Sequence, residues 1–140
     1  MRKLSLSLIL ALLAGQAAAA ELTAGIHRIQ VEVANTPEGR EKGLMYRQAM
    51  ADTQGMVFVF PKADKYCMWM ANTLMPLSVA FMDEKGKILN IEDMQPQTRN
   101  THCAAGPATF ALEMNLGWFQ KHGIPPGLSL GGVEHLPPAK

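Results

Sequence analysis

From Cys67 to Asp83 the chain reads Cys-Met-Trp-Met-Ala-Asn-Thr-Leu-Met-Pro-Leu-Ser-Val-Ala-Phe-Met-Asp, two apolar runs joined by a polar corner at Asn72 and Thr73. Side chains alternate across a β-strand, so Cys67 and Trp69 fall on one face and Met68 and Met70 on the other. Both faces are then apolar. A strand of that kind has to lie inside a packed structure. The runs at about 66–71 and 78–83 are therefore expected at the centre of the domain, with the Asn-Thr corner held between them. Polar groups fixed by such a frame are the first place to look for function.

The N-terminus has a different character. Met-Arg-Lys is followed by an apolar run to Leu13 and a small-residue stretch, Ala17 to Ala20. Basic start, short apolar core and Ala-x-Ala end describe a secretory signal peptide over residues 1–20, leaving a single domain over 21–140. The rival, an uncleaved anchor, needs a longer apolar run. Cleavage removes Arg2 and Lys3, so 11 of the 13 basic side chains remain against 12 acidic ones. No basic field is left to neutralise phosphates, which argues against nucleic acid and anionic membranes as partners. No integral membrane association is expected after cleavage, and the location is periplasmic or secreted.

Two cysteines, Cys67 and Cys103, make an even count in an oxidising compartment, which favours a disulfide. Two buried thiols or a soft-metal site are the competing readings.

Ile29, Val31 and Val33 alternate with polar residues, the pattern of a half-buried strand. Thr36-Pro37-Glu38 starts a helix, with Thr36 as cap and Pro37 in the first turn, expected to run to about Gln48. Gly39 and Gly43, four apart, suggest a close backbone neighbour. Gly55 to Phe60 is a buried strand ended by Pro61, 62–65 a loop, and 87–94 the return of a hairpin turned at Asp83-Glu84-Lys85-Gly86. A long polar loop spans 95–107, a strand follows at 108–114, a short helix or turn at 115–123, and a last short strand at 128–133. Many short strands with one or two short helices describe a mainly β domain, a β-sandwich or squat barrel.

The catalytic templates are missing: no phosphate-binding glycine loop, no His-Glu-x-x-His, no Gly-x-Ser-x-Gly. The first reading therefore leans away from an enzyme, which stays as a third option needing a nucleophile or metal that the sequence does not identify. Arg40 and Arg47 are seven apart and would share one helix side. Glu113, inside the apolar run Phe110 to Met114, needs an arginine or backbone donors to offset its desolvation. With Trp69, Asn72 and Thr73 these residues could line a polar pocket, or form a purely structural ion pair. The alternative is a Cu(I) site using Met70, His102 and Cys103, since thioethers, imidazoles and thiols suit that ion; methionine as core filler is the plainer account.

Thr36-Pro37-Glu38 with Arg40, Gly43-Leu44-Met45-Tyr46-Arg47, Gly55 to Phe60, Trp69-Met70-Ala71-Asn72-Thr73 with Pro76-Leu77, and Ala111-Leu112-Glu113-Met114 with Gly117 resemble the bacterial and archaeal domain of unknown function 192. The likeness spans about residues 29–133. It implies a compact β-rich, frequently exported domain with no agreed activity. Three positions depart from the family pattern: Ser78 stands where Asp is common, Met68 where Phe is frequent and Ala71 where Lys is frequent. A Phe-to-Met exchange suits a packing position.

The first reading is thus an exported, non-enzymatic binding or accessory protein without a cofactor, its partner a small molecule or a periplasmic protein. A periplasmic copper carrier is the alternative.

Overall fold

The computed structural model describes residues 18–140; the signal-peptide reading falls, up to residue 17, outside them. The strands are β1 (Ala19–Ala24), β2 (His27–Ala34), β3 (Gln54–Asp64), β4 (Cys67–Met68), β5 (Leu77–Met82), β6 (Ile88–Met94), β7 (His102–Cys103) and β8 (Ala108–Asn115). Two short helices, α1 (Pro37–Lys42) and α2 (Trp118–Lys121), join them. The mainly β architecture with short helices is as expected. Six strands form one open sheet in the order β1-β2-β3-β8-β5-β6, and β4 and β7 pair separately as a small ribbon. β1 begins two residues before Glu21, pairing Ala19 with Glu32 and Ala20 with Val31.

Alternation along the three central strands divides the interior into two cores. Val57, Val59, Ala80, Met82, Leu112 and Met114 point into the first, with Trp118, Phe119 and Ile124 closing over them. Met56, Phe58, Val79, Phe81 and Ala111 point into the second, under Leu44, Met70 and Met75. Because both faces are covered, β5 is buried at every residue.

β2 and β3 are parallel, and parallel neighbours need a crossover. That crossover carries α1 and the following loop to the second face. Thr36 caps α1, its hydroxyl accepting from the Gly39 amide at 3.0 Å. The helix was expected to reach Gln48, yet it stops at Lys42. Gly43 takes a φ of 47° and returns its amide to the Gly39 carbonyl, a conformation that ends a helix and favours glycine.

The central pair is half as expected. The run 78–83 corresponds to β5, whereas 66–71 supplies only the two residues of β4, and Trp69 is 49% exposed. Met70 is the one fully buried side chain of that run, entering the second core, with Tyr66 and Met68 partly buried against it. β3 also continues past Pro61 to Asp64. Its pairing to β8 shifts register between Val59 and Asp64 and its pairing to β2 ends at Phe58, so Pro61 breaks no ladder. In place of a strand at 128–133 there are isolated bridges, Lys87 to Ser129 and Thr23 to Gly131, before a 3-10 turn at Val133–His135.

Candidate functional site

Glu113 lies on β8 opposite Met56 of β3 and Val79 of β5. A carboxyl therefore occupies the middle of an apolar face, 4% exposed. Burial pushes its pKa from 4.5 up to about 8, and among the described residues no cation or hydrogen bond opposes that shift. Near neutrality the group is mostly the uncharged acid, able to donate one hydrogen bond and to accept others.

Among the described residues no arginine pairs with Glu113. Arg40 donates to the carbonyl of Val59 at 3.0 Å and to that of Lys140 at 3.3 Å, tying α1 to β3 and to the end of the chain. Arg47 lies beyond the short helix and pairs with Glu32 on the surface.

A cavity of about 150 Å³ lies against Glu113. Thr73, Phe58 and Leu44 form its inner wall, Arg40, Glu41 and Lys42 stand at its α1 end, and Trp69 and Cys67 form the side toward the ribbon. Gly43 shapes it too: a Cβ there would stand 3.1 Å from the Phe58 ring, closer than side chains normally pack. Arg99 stands over the Trp69 ring at 5.8 Å, within reach of a cation–π contact.

Four of the six residues singled out from the sequence, Arg40, Trp69, Thr73 and Glu113, meet at this cavity. Arg47 instead borders a separate depression with Gln30 and Glu32. Asn72 is exposed and does not line the cavity; its carbonyl accepts from the Tyr46 amide at 3.0 Å. Glu41, Lys42, Leu44, Met45 and Phe58 were missed. Phe58 could have been assigned to the face of Glu113 only once the β3–β8 register was known; the early helix stop brings in the others.

Cys67 and Cys103 are direct partners across the β4–β7 ribbon, their Cα atoms 4.0 Å apart and their sulfurs at bonding distance. The disulfide reading therefore prevails over free thiols. A bridged Cys103 offers no thiolate to a soft metal, and Met70 is packed into the second core. Among the described residues no group of three or more His, Cys, Asp or Glu side chains could hold a metal ion.

Ser78 has its own arrangement on the other face. Its hydroxyl donates to Asp93 Oδ1 at 2.6 Å and accepts from the Gly117 amide at 2.9 Å. Ser78 and Asp93 are register partners on β5 and β6, so the neighbouring strand supplies a carboxylate beside the position where the family resemblance led us to expect one.

Residues 17–131 match the DUF192 family, described as Uncharacterized ACR. A solved protein from Sinorhizobium meliloti, named only as a candidate transcription regulator, is 35% identical with a TM-score of 0.79; the match covers 84% of this chain and 95% of that one. A protein of unknown function from Novosphingobium aromaticivorans is 31% identical with a TM-score of 0.76, covering 83% and 85%. No curated protein matches the sequence.

Proposed function

The chain belongs to the DUF192 family, and from that premise we propose that it is an exported binding protein for a small carbonyl-bearing or anionic ligand. The reading rests on one observation: a mostly uncharged carboxyl at Glu113, without a partner among the described residues, faces a cavity whose α1 end carries Arg40 and Lys42 against the single carboxylate of Glu41. A ligand carbonyl would accept the Glu113 proton, an acidic group would turn to the two cations, and the Trp69 indole would form an apolar side. The volume holds about five waters' worth of matter at ~30 Å³ each, so the ligand is a handful of non-hydrogen atoms.

Export is supported by the N-terminal pattern and by the paired cysteines. No helix among the described residues is long and apolar enough to cross a membrane. The name of the Sinorhizobium relative would bring DNA to mind, but 11 basic against 12 acidic side chains after residue 20 give little counterion release to drive it.

Thermal-shift screening of small carboxylic acids, 2-oxo acids, amides and lactams at pH 6 tests the reading. Ligands should raise the midpoint of the wild type and lose that effect in Glu113→Leu. Equal shifts in both proteins, or no shift from any compound, would reject it.

A further inference from the structure

On the face of the sheet opposite Glu113, a larger hollow of about 490 Å³ lies between β5, β6 and the turn after α2. Ile91, Phe119, Ile124, Pro125 and Pro126 wall it, and Ser78 stands at its base. That volume is within the range of small-molecule sites.

Ile91 and Asp93 are two apart on β6 and so point to the same face. Asp93 is not itself a wall of the hollow, but its carboxylate is hydrogen-bonded to Ser78, which is. The Ser78 hydroxyl, itself satisfied by the Gly117 amide, holds Asp93 Oδ1 in place, and no donor among the described residues takes the other oxygen. Asp93 is exposed, and among the described residues no lysine, arginine or histidine forms an ion pair with it. An oriented carboxylate with no cation of its own, at the edge of an apolar hollow, is complementary to one kind of small molecule.

We infer that this hollow binds a primary amine with an apolar body about the size of a phenylethyl group. The ammonium meets Asp93, and the body lies against Phe119, Ile124 and the two prolines. An anion of the same shape is repelled by Asp93, and a neutral alcohol gains only the apolar contact. The site shares no wall with the cavity at Glu113 and does not depend on it.

The test is a titration of amide correlation spectra of the wild-type protein with phenethylamine, 2-phenylethanol and 3-phenylpropionate, three compounds with one ring and different head charges. Phenethylamine should shift the amides of Ile91, Phe119, Gly123 and Ile124 and bind about fivefold or more tightly than the alcohol. The acid should bind most weakly of the three. Asp93→Asn should bring the amine down to the alcohol's affinity, and Glu113→Leu should leave it unchanged. The inference is overturned if millimolar amine leaves those amides unmoved, if amine and alcohol bind equally, or if the shifts gather around Glu113. Should Asp93→Asn fail to fold, the order of the three compounds on the wild type decides.

Discussion

Replacing Glu113 by Gln removes a titrating proton while nearly keeping the side chain's size, and so isolates what the buried acid does to stability. In the unfolded chain the carboxyl ionises near 4.5, in the folded protein near 8. Between those values the folded state holds a proton that the unfolded state has lost, so wild-type stability falls as pH rises. The slope is about 1.4 kcal/mol per pH unit. Below pH 4.5 both states are protonated and this contribution is complete; above pH 8 it has been lost. From pH 4.5 to 7 the wild type should therefore give up about 3 kcal/mol relative to Glu113→Gln. The buried amide adds an offset independent of pH, so only the change in the difference is read. Urea unfolding of both proteins at half-unit steps from pH 4 to 9, with the disulfide intact, measures it. Profiles that stay parallel within about 0.5 kcal/mol, the typical scatter between comparable mutants, would refute the reasoning: the carboxyl would then be solvated or paired.

Other substitutions probe the frame around the cavity. Gly43→Ala forces a side chain into a φ of 47° and against the Phe58 ring, and should cost about 1–3 kcal/mol in urea unfolding. Phe81→Ala, at a fully buried position of β5, should cost about 3–5 kcal/mol. Trp69→Ala should change stability by less than about 1 kcal/mol, because half of the indole is already in water, yet it should weaken any ligand that protects the wild type thermally. Reducing the Cys67–Cys103 bridge, whose ends are 36 residues apart, should cost about 4 kcal/mol by loop entropy. Intact mass after alkylation without reductant should show no modified thiol.

The strand pattern was open to reading because it depends on near neighbours. The runs at Gly55 to Phe60 and Val79 to Met82 are apolar at consecutive positions, and that forces burial on both faces whatever the strands pair with. Thr36 and Pro37 announced the start of α1 for the same local reason. The run at 66–71 misled because it has the same composition as a central strand while only Met70 of its last three hydrophobes finds a core. Nothing local distinguishes a strand that pairs in the main sheet from one clipped to a two-residue ribbon.

At the cavity the division is sharper. Residue types and order alone determined that a carboxyl would be buried at Glu113, since its neighbours leave it no polar face, and that two cysteines would be available to pair. Tertiary structure decided which groups meet it. Gly43 ends α1 early and sends Arg47 to Glu32, Arg40 is drawn to the Val59 and Lys140 carbonyls, and Glu113 is left without a counter-charge. These outcomes turn on competition among donors and acceptors that are distant in sequence, and only the folded chain brings the competitors together.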